Sequence, residues 1–544
     1  MNIAGHIVDV KNERLYDGTI EISNGRISHI EPLEKASQSL PYLMPGLIDA
    51  HVHIESTLLL PHNYAPLATR HGVIGAICDP HEIANVLGIE GVEFMLNDAK
   101  DALFHFYFCA PSCVPVSFFE TAGAKIDSLG VKSLLGRAEI VGLAEMMNYV
   151  GVLNKEPDTM AKIAAAKSVG KAIDGHAPGL RGNDAKAYID AGITTDHECT
   201  SFEEAAERLK MGMDILIREG SAARNFDALH KLLAQHRNGL MFCSDDMYPD
   251  ELQSGYIDEM VIRALAKGMP FWNVLHAACV EPVEHYHLPI GLLQEGDSAD
   301  FIVVDNFSKF HVLHSFIRGE DALVKEEKTA ETKTYPNLFN AHPIKAKDIA
   351  VGAPRTPGTQ MRVMVAKEGE LFTKEELVAP FIEGEHTKAH VQRDLLKLVV
   401  LNRYEPATKP AIAFVKGFGL RRGALASSIA HDSHNLIAVG CSDEEIVRAL
   451  NELIRLKGGL AACDGDKVET LPFPVAGLMS PHSAEKVAKA YKGLKIQARS
   501  LGCTFSAPFM TLSFMALPVI PELKLTDKGL FDGRKFVFVD LFAE

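Results

Sequence analysis

The chain has 544 residues, 71 of them acidic and 55 basic, for a formal charge of -16. Such a length exceeds what one hydrophobic core usually supports and predicts two or three domains, and the acidic excess excludes a protein that follows a nucleic-acid backbone with a basic face. Hydrophobic residues at 47% and charged residues at 23% fit a folded globular chain; with no apolar run near the roughly 20 residues of a membrane span, the expectation is a cytoplasmic protein with no membrane partner, and nine cysteines without framework spacing fit a reducing compartment.

The chain opens on short β-branched runs, IAGHIVDV, GTIEIS and RISHIE. Asn24-Gly25 separates the last two and predicts a tight hairpin. From Pro45 the pattern changes. IGAICDP, HFYFCAPS, IVGLAEM, KAIDGHA, GITTDHE, DILIREG and LMFCSDD are strand-like runs that end in polar, Gly or Pro residues. Between them lie helical stretches such as PDTMAKIAAAKSVG and SFEEAAERLKMG. This α/β alternation predicts a (β/α)8 barrel over 45–288. An open doubly wound sheet would be expected to carry a Gly-rich phosphate turn after an early strand, and none is present. Strands resume in GLLQEGDSADFIVVDN and FHVLHSFIRG, so residues 1–44 and 289–335 are expected to pair as one composite β-sandwich flanking the barrel. The polar stretch EEKTAETKTYPN reads as a linker. Residues 344–544 mix strands (MRVMVAKEG, PAIAFVKGFG, RKFVFVD) with an amphipathic helix, DEEIVRALNELIRLKG, and predict a C-terminal α+β domain.

The strongest chemical signal is PGLIDAHVHIEST. His51 and His53 are two apart on a strand, so both imidazoles face one side. At the C-terminal end of a barrel strand that side is the mouth, where barrel active sites lie. Later strand ends carry Glu145, His176, His197 and Asp245 in turn. Each alone has a structural explanation: a helix-initiating carboxylate, a turn histidine, an N-cap. Five strand ends bearing such residues in one order are hard to explain by structure alone. Imidazole and carboxylate ligands of this mix suit zinc, iron or manganese, and a carboxylate shared between two histidine sets suits a two-metal site. Asp246, beside Asp245, is an alternative catalytic carboxylate. His81 and Glu82 in CDPHEIANV are candidates for orienting a ligand, for an extra metal, or for capping a helix. Arg218, Ser221 and Asn225 in REGSAARN are candidate substrate-binding residues, or caps of the next helix. HDSHN, with His434, either closes the pocket or forms a solvated turn.

The order His-x-His, Glu, His, His, Asp resembles the amidohydrolase superfamily, as does GDSADFIVVD in its closing β segment. Many members bridge their metals with a carbamylated lysine; IVGLAEMMNYVG has none, which leaves Glu145 as the bridge. The strings CDPHEIANVLG, APSCVPV, GLAEMMNYVGV, DGHAPGL, TTDHECTSFEEA and FCSDDMYPD, with HDSHNLIAVG and FMTLSFMALPVIPELKLTDKGLFD near the end, are similar to the bacterial adenine deaminase family over nearly the whole chain. The resemblance implies hydrolysis of adenine to hypoxanthine and ammonia in purine salvage, by a metal-activated hydroxide attacking C6. It implies two divalent metals per site (Mn or Fe, with Zn as a further option). His51 and His53 would hold one, His176 and His197 the other, Glu145 both, and Asp245 would bind the first metal and carry the proton. Superfamily precedent implies a homo-oligomer. The competing expectation is a cyclic amidohydrolase or amino-sugar deacetylase with the same cage.

Overall fold

In the computed structural model, the structure describes residues 1–33, 40–324, 334–406 and 408–543. Residues 325–333, which fall in the expected linker, lie outside the described residues.

Eight short parallel strands carry the site. They are β1 (Leu47–Val52), β2 (Val73–Cys78), β3 (His105–Ala110), β4 (Ile140–Met146), β5 (Ala172–Gly175), β6 (Thr195–Asp196), β7 (Asp214–Arg218) and β8 (Leu240–Cys243). The first five form one parallel arc and the last three another. The arcs meet at two seams. Thr194 N donates to Ile173 O (2.8 Å) across β5 and β6; Asp245 N donates to His51 O (2.9 Å) and His53 N to Asp245 O (3.1 Å) across β8 and β1. The strands read as near-continuous apolar runs because helices cover their outer face while side chains fill the inside. β1, β2 and β8 are buried at every position.

Helices follow where the sequence provides caps. Ser201 Oγ accepts from Glu204 N (3.3 Å) and Glu204 reaches back to Thr200 N (3.0 Å), starting the helix Phe202–Lys210. That helix buries Arg208, whose guanidinium donates to Ala177 O (2.5 Å) and pairs with Asp196. One side chain thereby braces the loops after both β5 and β6.

Strands from both flanks of the barrel join in one seven-stranded sheet, in the order 320–321, 312–317, 301–304, 42–45, 2–9, 14–23, 26–32. The sheet curls until Arg26 bridges Ser298, and encloses Ile7, Ile20, Ile22, Ile27, Leu43, Phe301 and Phe316. Asn24 and Gly25 both have positive φ (50° and 74°), as a hairpin turn that follows the strand twist requires.

The separate C-terminal domain is built on a nine-stranded sheet. The helix Asp443–Leu456 packs on it through Ile446, Ala449, Leu450 and Leu453, with Ser442 as its N-cap. The stretch RKFVFVD contributes only the two-residue strand Val537–Phe538, both residues exposed. A loop between the strands Ala424–Ser427 and Leu436–Gly440, together with the helical turn Phe514–Ala516, faces the barrel mouth. Among the described residues, no helix is long and apolar enough to cross a membrane, and all nine cysteines are free.

Candidate active site

The ends of β1, β4, β5, β6 and β8 bring His51, His53, Glu145, His176, His197 and Asp245 together at the mouth, all buried. Glu145 lies at the centre. Its Oε1 is 3.4 Å from His53 Nε2 and 4.0 Å from His51 Nε2; its Oε2 is 2.6 Å from His176 Nδ1 and 3.3 Å from His197 Nε2. Asp245 Oδ1 closes the first set, 3.0 Å from His53 Nε2 and 3.5 Å from His51 Nε2.

Neighbours fix the strand ends that carry these imidazoles. His53 Nδ1 faces the carbonyl of Asp79 at 3.0 Å; a carbonyl only accepts, so Nδ1 carries a proton and Nε2 turns into the cluster. Asp49 accepts from His51 N (3.1 Å), from Ser244 N and Oγ (3.1 and 2.5 Å) and from the Tyr256 hydroxyl (2.5 Å), which locks β1 to β8. Tyr188 Oη accepts from His176 N (3.1 Å) and donates to Met146 O (2.7 Å), tying the ends of β4 and β5. Asp245 itself has a left-handed backbone, φ 59°, a conformation that Asp and Asn enter more readily than most residues.

The electrostatics follow from this packing. Burial pushes the Glu145 carboxyl up, but the imidazoles of His176, His197 and His53 outweigh it and hold the group well below the usual carboxylate range. Burial likewise opposes ionisation of Asp245, and the Arg218 charge with the His51 and His53 bonds brings it well below. Asp246 goes the other way: burial and the neighbouring Asp245 charge raise it. Its Oδ1 accepts from Ser56 Oγ at 2.5 Å.

The donor set fits a divalent cation. His51 Nε2 and His53 Nε2 approach to 3.2 Å, and the groups His51–His53–Asp245, His51–Glu145–His197 and His176–His197–Glu198 each bring their ligand atoms within 4.8 Å of one another. Imidazole nitrogens packed against one another and against carboxylates, out of water, are what a shared cation holds together.

Other residues singled out in the sequence fall in different places. Arg218 ends β7 behind the cluster, with Nη1 on Glu198 and 2.7 Å from Asp245 Oδ2. Ser221 donates to Glu251 (3.0 Å) and accepts from Tyr248 N (2.9 Å), while Asn225 donates to the carbonyls of His197 and Cys199 (3.0 and 3.1 Å). Their polar groups are spent on the loops after β6 and β8, and neither lines the cavity. His81 and Glu82 do line it; His434 meets Glu82 instead.

Several participants carry no signal strong enough to single them out. Glu198 follows His197 directly, and strand alternation would turn it away. Yet β6 ends at Asp196, and Asp196 Oδ1 accepts from Glu198 N (2.8 Å), turning the chain so that Glu198 Oε1 stands 3.5 Å from His197 Nε2. The C-terminal domain covers the cavity with apolar Leu371, Phe514, Leu517 and Ile520, next to His431 and Asp432, with Met147 beside them. The Phe514 ring stacks on His431 with centroids 4.5 Å apart.

The sequence profile of the amidohydrolase family matches residues 42–334, and that of the adenine deaminase C-terminal domain matches residues 370–537. The chain is 49% identical to an adenine deaminase of Salinibacter ruber, with 100% of this chain and 99% of the relative covered. It is 48% identical to one of Methanosarcina mazei and 41% identical to one of Borreliella burgdorferi, in both cases over 99% of each chain.

Proposed function

Because the chain belongs to the adenine deaminases of the amidohydrolase family, we propose that it hydrolyses adenine to hypoxanthine and ammonia with divalent metal ions held at its barrel mouth. The observation that carries the site assignment is the division of Glu145: one oxygen towards His51 and His53, the other towards His176 and His197. On this reading His51, His53 and Asp245 would hold one ion and His176 and His197 the other, with Glu145 shared between them. Manganese or iron is the proposed pair, with zinc also compatible with imidazole and carboxylate ligands. Bound ions supply a nucleophile at neutral pH by lowering the pKa of water.

The remaining work falls to side chains. Asp245, ionised beside Arg218, accepts the proton of the attacking water at Oδ1, the oxygen that faces the imidazoles. As the C6–O bond forms and the C6–N bond breaks, it passes that proton to the departing amino nitrogen, which leaves as ammonia. Arg218 keeps Asp245 oriented through Oδ2. The roof of Leu371, Phe514, Leu517 and Ile520 excludes water and offers the flat purine an apolar face. Free cysteines throughout support a reducing, cytoplasmic setting, and the reaction belongs to purine salvage.

Ammonia release from adenine, measured beside ring opening of hydantoin and dihydroorotate, tests the reading. Turnover of adenine alone is expected; turnover of only the ring amides would replace the deaminase with a cyclic amidohydrolase.

A further inference from the structure

Next to the cluster around Glu145 lies a second group of buried ionisable side chains, drawn from two parts of the chain. His81 and Glu82 open the short helix that follows β2; His431, Asp432 and His434 come from the C-terminal loop between Ala424–Ser427 and Leu436–Gly440. The mechanism above uses none of them.

Glu82 is their meeting point. Its Oε1 stands 2.8 Å from His431 Nδ1 and 3.6 Å from His81 Nε2, and its Oε2 meets His434 Nε2. Asp432 Oδ2 is 3.8 Å from His81 Nε2. His81, Glu82 and Asp432 bring their ligand atoms within 4.8 Å of one another. The residues are 1–3% exposed. Nevertheless His81 Nε2, Asp432 Oδ2 and His434 Nδ1 have no hydrogen-bond partner, and Glu82 Oε2 has only its ion-pair contact with His434. Buried polar atoms left without partners beside these ion pairs leave part of the desolvation cost uncompensated. A cation at the convergence point offsets it: with metal–donor distances of about 2.1 Å, neighbouring donors sit roughly 3.0–3.4 Å apart, a range that the 2.8, 3.6 and 3.8 Å separations here bracket.

His81 supplies an independent sign. Its Nδ1 is 3.0 Å from Asp79 Oδ2, and its backbone N donates to Asp79 Oδ1 at 3.0 Å. A carboxylate held in this way keeps the proton on Nδ1 and presents the Nε2 lone pair to the cluster, the arrangement that orients metal-bound histidines.

We infer that Glu82, His81, Asp432, His431 and His434 form a further site for a divalent transition-metal ion, adjoining the cluster at Glu145, from which His81 Nδ1 stands 3.6 Å, and fastening the C-terminal roof to the barrel. Its ligands come from both domains, so the ion acts as a clamp between them. The inference does not depend on the substrate or on the proposed pair.

Crystals of full-length protein reconstituted with manganese, measured for anomalous scattering, test it. The expected map has a peak in contact with the Glu82 carboxylate and His434, besides any density at Glu145. No peak at Glu82 overturns the inference. A peak at Glu82 with none at Glu145 upholds it and removes the pair; the reverse pattern removes the clamp and keeps the pair. In solution, His434→Ala and Asp432→Asn should each lower metal content by one equivalent per chain and weaken the manganese-dependent rise in Tm. Variants that fold and keep the full wild-type metal content would contradict it. Should both variants fail to fold, the wild-type map alone decides.

Discussion

Asp245→Asn isolates the proton-handling step. The carboxylate makes its contacts through both oxygens, Oδ1 to His53 at 3.0 Å and Oδ2 to Arg218 at 2.7 Å. Asn has the same shape and keeps one oxygen for these contacts, and its backbone enters the left-handed φ of 59° observed here as readily as Asp does. What it cannot do is take up a proton. General acid–base groups contribute about 10²–10⁴-fold. Asp245 is assigned both proton acceptance and proton donation, so the upper end applies: a loss of roughly 10⁴ in kcat, or about 5.4 kcal/mol of barrier. Arg218 retains Glu198 as a partner, so the guanidinium is not left bare. The stability loss should therefore stay within about 1–3 kcal/mol, the cost of one weakened buried bond. The assay is steady-state ammonia release from adenine, with circular dichroism and metal content measured on the same preparation. A kcat within about tenfold of wild type, at equal metal content, would refute the assignment and move the role to Asp246, which faces Ser56.

Other consequences can be checked separately. Chelation should abolish ammonia release, and added manganese or iron should restore it; activity that survives complete metal removal would contradict a metal-dependent reaction. Phe514→Leu keeps an apolar roof but loses the ring face, so KM for adenine should rise roughly two- to tenfold, the range of one aromatic contact, with kcat little changed; an unchanged KM would place the purine elsewhere. Lys524 is buried, with Nζ donating to Leu371 O (2.8 Å) and Phe514 O (2.9 Å), and burial pushes its amine down to about 7. The unfolded chain binds more protons than the folded one between that value and the ordinary lysine range. Stability should therefore rise with pH from 7 towards 10, by up to about 1.4 kcal/mol per pH unit relative to Lys524→Met. Urea unfolding with the same pH slope in both proteins would show that Lys524 stays charged in the fold.

The sequence exposes those parts of the site that obey strand geometry. His51 and His53 alternate on a strand, and Glu145, His176, His197 and Asp245 each stand where a strand-like run ends, so periodicity and position bring them to one rim. Glu198 escapes that logic because β6 is only two residues long and the chain turns at once. Ser221 and Asn225 stand at a strand end as expected, but their hydrogen bonds go to Tyr248, Glu251 and the loop after β6; a linear sequence does not show where a polar side chain is already committed. The roof is hidden for a different reason. Leu371, Leu517 and Ile520 have the character of core residues, and only the packing of the C-terminal domain over the barrel makes them cavity walls. His81 and Glu82 stand out in the sequence, but their convergence with His431 and His434 joins positions some 350 residues apart that no local pattern connects.

Low-temperature EPR of the manganese-loaded protein tests the central claim most directly, that Glu145 is shared between two ions. An exchange-coupled spectrum is expected from wild type, giving way to isolated-ion signals in Glu145→Gln. Isolated ions in fully loaded, active wild type, or coupling that survives in the variant, would contradict a bridging Glu145.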